Sequence, residues 1–119
     1  MLRKLFGGGG RTAASAGPVT VQEAERLVAH GDAVLIDVRE QGEWEAGHVR
    51  QARHIPLGAL ADRLAEVPQD RAVLLFCRSG NRSGQATRLL LERGFTNARN
   101  VDGGVLAWER QRLPLEKGH

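Results

Sequence analysis

Two stretches, AVLIDV at 33–38, apolar apart from Asp37, and AVLLFC at 72–77, are continuous runs rich in branched residues. A strand with one wet face alternates apolar and polar residues, so a run without alternation has both faces covered, as in the middle of a parallel sheet. Parallel neighbours need crossover connections, normally helical and right-handed. The flanking sequence supplies them. TVQE at 20–23 is a capping box that opens a helix over 21–30, and Gly31 offers the left-handed stop. EQGEWEAGHV (40–49) holds a brief helix, ARHIPL (52–57) a short strand, and GALADRLAEV (58–67) a helix ended by Pro68. A helix over about 83–93 follows, carrying Ala86, Leu89, Leu90 and Arg93 at helical spacing and stopped by Gly94. A strand at 98–101 and a helix at 104–111 complete an α/β order without an internal repeat.

With 119 residues, 41% of them hydrophobic, the chain can build one ordinary domain and not two. No apolar run approaches the roughly 20 residues of a membrane span. The net charge of +3 is confined to one end. Residues 1–18 carry Arg3, Lys4 and Arg11 and no acid, which leaves basic and acidic residues balanced in the rest of the chain. A nucleic-acid-binding domain should show a cationic face on its folded part and aromatics to stack on bases; here the charge is balanced and only Trp44, Phe76, Phe95 and Trp108 are available, so no nucleic-acid partner is expected. The Gly-, Ala- and Ser-rich residues 1–18 read as a flexible basic leader to a single domain at 19–119. The glycines at 7–10 interrupt any secretory apolar stretch. The expected location is therefore cytoplasmic, with a mitochondrial presequence as the alternative reading of the leader.

The chain has one cysteine, Cys77, which excludes an internal disulfide and a dithiol mechanism. His30, His48, His54 and His119 are scattered without paired ligand spacing, so no metal site is expected. Cys77 ends a buried strand, and in open α/β sheets ligands gather where strands end and helices begin. A helix N-terminus presents unpaired amides and the positive end of its dipole, which stabilise an anion. Gly80 and Gly84 let the backbone curl, while Arg78 and Arg82 add positive charge, surroundings that lower a thiol pKa. A lone cysteine after an apolar strand is otherwise a small buried hydrophobe; its neighbours here favour a reactive thiolate.

Three ordered segments, VLIDVREQGEWEAGHVRQARHIPL (34–57), VLLFCRSGNRSGQATRLLLERGF (73–95) and NVDGGVLAWERQRLPL (100–115), resemble a single-domain rhodanese, of the sulfurtransferase family, across nearly all of residues 19–116. The resemblance implies a three-layer α/β/α fold around a mostly parallel sheet of about five strands. It also implies a cysteine that carries sulfur as a persulfide in a six-residue loop, here Cys77, Arg78, Ser79, Gly80, Asn81 and Arg82. Related cysteine phosphatases have a loop one residue longer closed by arginine. Here Ser83 stands at that place, which favours sulfur over phosphate.

The implied activity is a transfer of sulfane sulfur from thiosulfate or a related persulfide donor to cyanide or a thiol, with no cofactor. A thioredoxin-like or carrier-protein partner is compatible with it. A non-turnover sulfur carrier or partner-binding module is the alternative from another class, and a cysteine phosphatase a third. Within this resemblance Asp37, Arg39, Glu45 and His48, which follow the first buried strand, are expected to fix their loop through ion pairs and hydrogen bonds rather than to react. Asp37 beside Cys77 would oppose thiolate formation unless paired, and Arg39 is the nearest partner in sequence. Trp108 is expected to anchor the core.

Overall fold

The computed structural model describes residues 17–118. The expected leader therefore lies outside the described residues, except for Gly17 and Pro18. Four strands, β1 (Ala33–Asp37), β2 (Arg53–His54), β3 (Ala72–Phe76) and β4 (Ala98–Asn100), form one parallel sheet in the order β2-β1-β3-β4. Among them run helices α1 (Val21–Ala29), α2 (Gln41–Ala46), α3 (Leu57–Leu60), α4 (Asn81–Glu92) and α5 (Gly104–Arg110).

The two apolar runs pair with each other over their full length, from Ala33 opposite Ala72 to Asp37 opposite Phe76. Their side chains alternate between two cores. Val34, Ile36 and Val38 with Val73, Leu75 and Cys77 enter the core that holds Ala86 and Leu90 of α4. Ala33 and Leu35 with Leu74 and Phe76 enter the core under α1 and α5, with Ala24, Val105 and Trp108. This strict period of two is why neither run alternates in polarity: each face meets a different helical layer. Strand parity also sends Cys77 to the α4 side, where the following helix starts.

The expected start and stop signals of α1 are present. Thr20 Oγ1 accepts from the Glu23 amide at 3.1 Å, the Glu23 carboxylate accepts from the Thr20 amide at 3.1 Å, and Gly31 has φ of 76°.

Two expectations are modified. Among the described residues the sheet has four strands rather than five. In place of a fifth, Val19 alone makes a parallel bridge to Val101, donating to Asn100 O at 2.9 Å and accepting from Asp102 N at 2.8 Å. Pro18 has no amide to extend the ladder and Thr20 already caps α1, so a single residue is left to pair. The continuous helix expected over 58–67 is instead α3 followed by a 3-10 turn at Leu64–Glu66. The amides of that turn bond three residues back, Glu66 to Arg63 at 3.0 Å and Val67 to Leu64 at 3.1 Å. So short a helix gains little by propagating, and burial of Leu60 and Val67 dictates the path. Among the described residues no helix is long and apolar enough to cross a membrane.

Leu75 is wholly buried between β1 and α4. Leu75→Ala should cost about 2–5 kcal/mol, read as a lower urea midpoint with an unchanged slope.

Candidate active site

Cys77 is the first residue beyond β3, and its side chain is 1% exposed. The chain then turns through Arg78, Ser79 and Gly80 into α4, which starts at Asn81, two residues earlier than the sequence suggests. Arg82 and Ser83 thus lie in the first helical turn, where backbone N–H groups have no partner within the helix. Gly80, with φ of 107°, makes the reversal that a side chain would strain.

The sulfur is the focus of this turn. Gly80 N–H donates to Sγ at 3.1 Å and the Ser83 hydroxyl at 3.3 Å. Burial pushes the Cys77 thiol up. The Ser83 hydroxyl and the backbone N–H groups of Ser83, Gly80 and Ser79 outweigh it, and the net direction is below the ordinary thiol value. Hydrogen-bond donors, more than the arginine charges, therefore account for the lowering.

Three contacts hold the loop in this curvature. Asn100, at the end of β4, donates through Nδ2 to Gly80 O at 3.1 Å, which ties the turn to the neighbouring strand. The first amides of α5 receive the other side: Val105 N–H donates to Cys77 O at 2.9 Å and Leu106 N–H to Arg78 O at 3.1 Å. This approach needs glycine, because a Cβ on Gly104 would overlap the carbonyl oxygens of Cys77 and Arg78. Trp108 seats α5 below, buried edge-on against Phe76 with its indole N–H donating to Pro114 O at 3.0 Å.

Arg82 does not stand free in the loop. Its guanidinium forms a two-pronged pair with Glu43 of α2, at 2.7 and 2.8 Å. The Arg82 hydrogen bonds hold the Glu43 carboxyl down at about 2. Arg78 is exposed and has no ion-pair partner among the described residues. Ser79 and Asn81 are also exposed, the latter accepting from Gln85 Nε2 at 3.2 Å.

The residues after β1 form a separate scaffold. Asp37 is fully buried and grips the Arg39 guanidinium, with Nη2 at 2.8 Å from Oδ2, while the same Nη2 donates to Gly47 O at 2.7 Å. His48 is buried, bonded through Nδ1 to Trp44 O at 2.8 Å and stacked on the Trp44 ring. Glu45 is exposed and accepts from Gln41 Nε2 at 2.7 Å. Among the described residues, the hydrogen bonds to the sulfur come from Gly80 and Ser83 and from none of these four. Three residues that do shape the site escape sequence reasoning: Glu43, Asn100, and Ser83 in its role as donor. Ser83 carries a signal, because position three of a helix beginning at Asn81 turns back toward the preceding loop. Glu43 carries none, since 39 residues separate it from Arg82. A cavity of about 430 Å³ beside Val28, Val49, Trp108 and Leu115 does not include the cysteine loop.

A cysteine whose sulfur accepts from an amide and a hydroxyl where a central parallel strand meets a helix defines a loop-cysteine α/β domain. The sequence matches the Rhodanese-like domain family over residues 20–111, and the chain belongs to that family. It is 37% identical over 92 residues to a sulfurtransferase of Allochromatium vinosum, covering 77% of this chain and 86% of that protein. It is 42% identical over 89 residues to YqhL of Bacillus subtilis, covering 75% of this chain and 71% of the relative. Its fold is similar to the crystal structure of a thiosulfate sulfurtransferase from Pseudomonas aeruginosa, with a TM-score of 0.78 and 26% identity. That match covers 90% of this chain but 21% of the other.

Ser83→Ala removes a donor from the thiolate. The midpoint of alkylation rate against pH should therefore rise; an unmoved midpoint would deny Ser83 its role. The Glu43 pair has its own pH signature. The folded-state carboxyl titrates near 2, below its ordinary 4.5, so its stabilisation is full above about 4.5 and fades as pH falls toward about 2. Glu43→Gln should flatten that part of a stability-against-pH curve and cost about 1 kcal/mol at neutral pH.

Proposed function

We propose that the protein is a sulfurtransferase that carries sulfane sulfur as a persulfide on Cys77. The observation that supports this best is the convergence of the Gly80 amide and Ser83 hydroxyl on a thiol held below its ordinary pKa. The Cys77 thiolate attacks the outer sulfur of a donor such as thiosulfate. A new S–S bond forms, the donor's S–S bond breaks, and its electron pair leaves with sulfite. The product is a Cys77 persulfide anion, which the donors around the sulfur would stabilise. A thiophilic acceptor, cyanide or a thiolate, then attacks the outer sulfur and restores the Cys77 thiolate. No net oxidation occurs and no metal or organic cofactor is needed. Exposed Arg78 would draw an anionic donor toward the loop. Ser83 argues against a phosphatase, because the position that would complete a longer anion cradle is spent on the sulfur itself.

Intact mass tests the cycle. After incubation with thiosulfate or cysteine persulfide, the protein should gain one sulfur and lose it to cyanide with release of thiocyanate, while Cys77→Ser gains none. Sulfur gained by the Cys77→Ser variant would overturn the mechanism. Sulfur retained after cyanide and thiols, and released only to a protein acceptor, would move the function to a dedicated carrier.

A further inference from the structure

A dianionic donor and a singly charged one make different demands on the same loop. Thiosulfate brings two negative charges up to a thiolate and leaves as a dianion, so its use rests on uncompensated positive charge near the sulfur. A thiol persulfide, RSS⁻, brings one charge and leaves as a thiolate that can take a proton from water.

The loop has two arginines, but only one acts at full strength. Arg82 lies close enough to Cys77 to feel its charge, yet both prongs of its guanidinium are taken by Glu43. Glu40 also acts on Arg82 electrostatically, adding to the negative side of the balance. On the β1 side Asp37 and Arg39 neutralise each other. Arg78 remains as the loop cation without an ion-pair partner among the described residues. The Glu43 and Arg82 side chains are each 32% exposed, so the pair is neither lost in solvent nor sealed in the core. Its cancellation is felt at the loop mouth, where a donor arrives. Among the described residues this pair is the side-chain link between α2 and the cysteine loop, so Glu43 acts on the chemistry through Arg82.

We infer that Glu43 is a specificity-determining residue that, by neutralising Arg82, tunes the Cys77 loop toward singly charged thiol persulfides and away from thiosulfate. The inference rests on the sulfurtransferase reading and names its donor class. With such a donor, Cys77–S⁻ attacks the outer sulfur of RSS⁻, a new S–S bond forms, the donor's S–S bond breaks and its electron pair leaves with RS⁻; charge and electrons balance without a further reactant. Glu43 is a positioning residue, not a catalytic one, because it meets Arg82 rather than the donor.

The test measures kcat/KM for thiosulfate and for cysteine persulfide, with cyanide as common acceptor, in the wild type, Glu43→Gln and the double variant Glu43→Gln with Arg82→Gln. Wild type should favour the persulfide. Freeing the Arg82 charge in Glu43→Gln should raise the thiosulfate-to-persulfide ratio about tenfold, an effect that shrinks at high salt. The double variant restores the original charge balance and should return the ratio to near that of the wild type. It also reports on charge should Glu43→Gln alone fail to fold. A ratio unmoved in Glu43→Gln, or about tenfold lower in the double variant than in the wild type, overturns the selector while leaving the transferase intact. Absence of sulfur on wild-type Cys77 from both donors overturns the sulfurtransferase reading and the inference with it.

Discussion

The buried pairing of β1 with β3 is the constraint on which everything else depends. Two strands with apolar side chains on both faces can be stable only if helices cover both faces, and the five residue pairs from Ala33–Ala72 to Asp37–Phe76 hold their carboxyl ends level. Asp37 and Cys77 therefore come to the same edge of the sheet from opposite faces. Burial at that edge makes every polar group expensive unless partnered, and the partners found there are the site: Arg39 on Asp37, and the Gly80 amide and Ser83 hydroxyl on Cys77.

The loop owes its shape to elements that never touch the sulfur. Asn100 pins one carbonyl from β4, and the first amides of α5 pin two more, through a contact that only glycine at 104 permits. Without these tethers the loop amides would be free to turn to solvent, and burial would push the thiol up rather than leave it lowered. Phe76 and Trp108 complete the support, since the edge-on ring contact fixes α5 against the strand that delivers the cysteine. Packing in one core thus maintains electrostatics at the boundary of the other.

Much of this was legible in the residues. The unalternating runs identify central parallel strands, the TVQE box and Gly31 delimit α1, and the spacing of Ala86, Leu89 and Leu90 marks α4. What was not legible is where local signals yield to tertiary context. Residues 58–67 have helical composition, yet core burial of Leu60 and Val67 breaks them into two short turns. A fifth strand is implied by resemblance, yet Pro18 and the capping role of Thr20 leave Val19 alone to pair. Arg82 reads as free positive charge until Glu43 is found against it.

By itself the sequence determined the layered α/β class, the central place of both strands and the position of Cys77 at a strand end before a helix, because hydrophobic periodicity and capping act over a few residues. Only the tertiary structure decided which donors face the sulfur and which charges cancel. The Glu43–Arg82 pair, the Asn100 tether and the α5 amides on the loop join residues 39, 20 and 28 positions apart. Hydrogen bonds and ion pairs depend on separations of about 3 Å in space, and no local pattern in a chain specifies such distances until the sheet has brought its ends together.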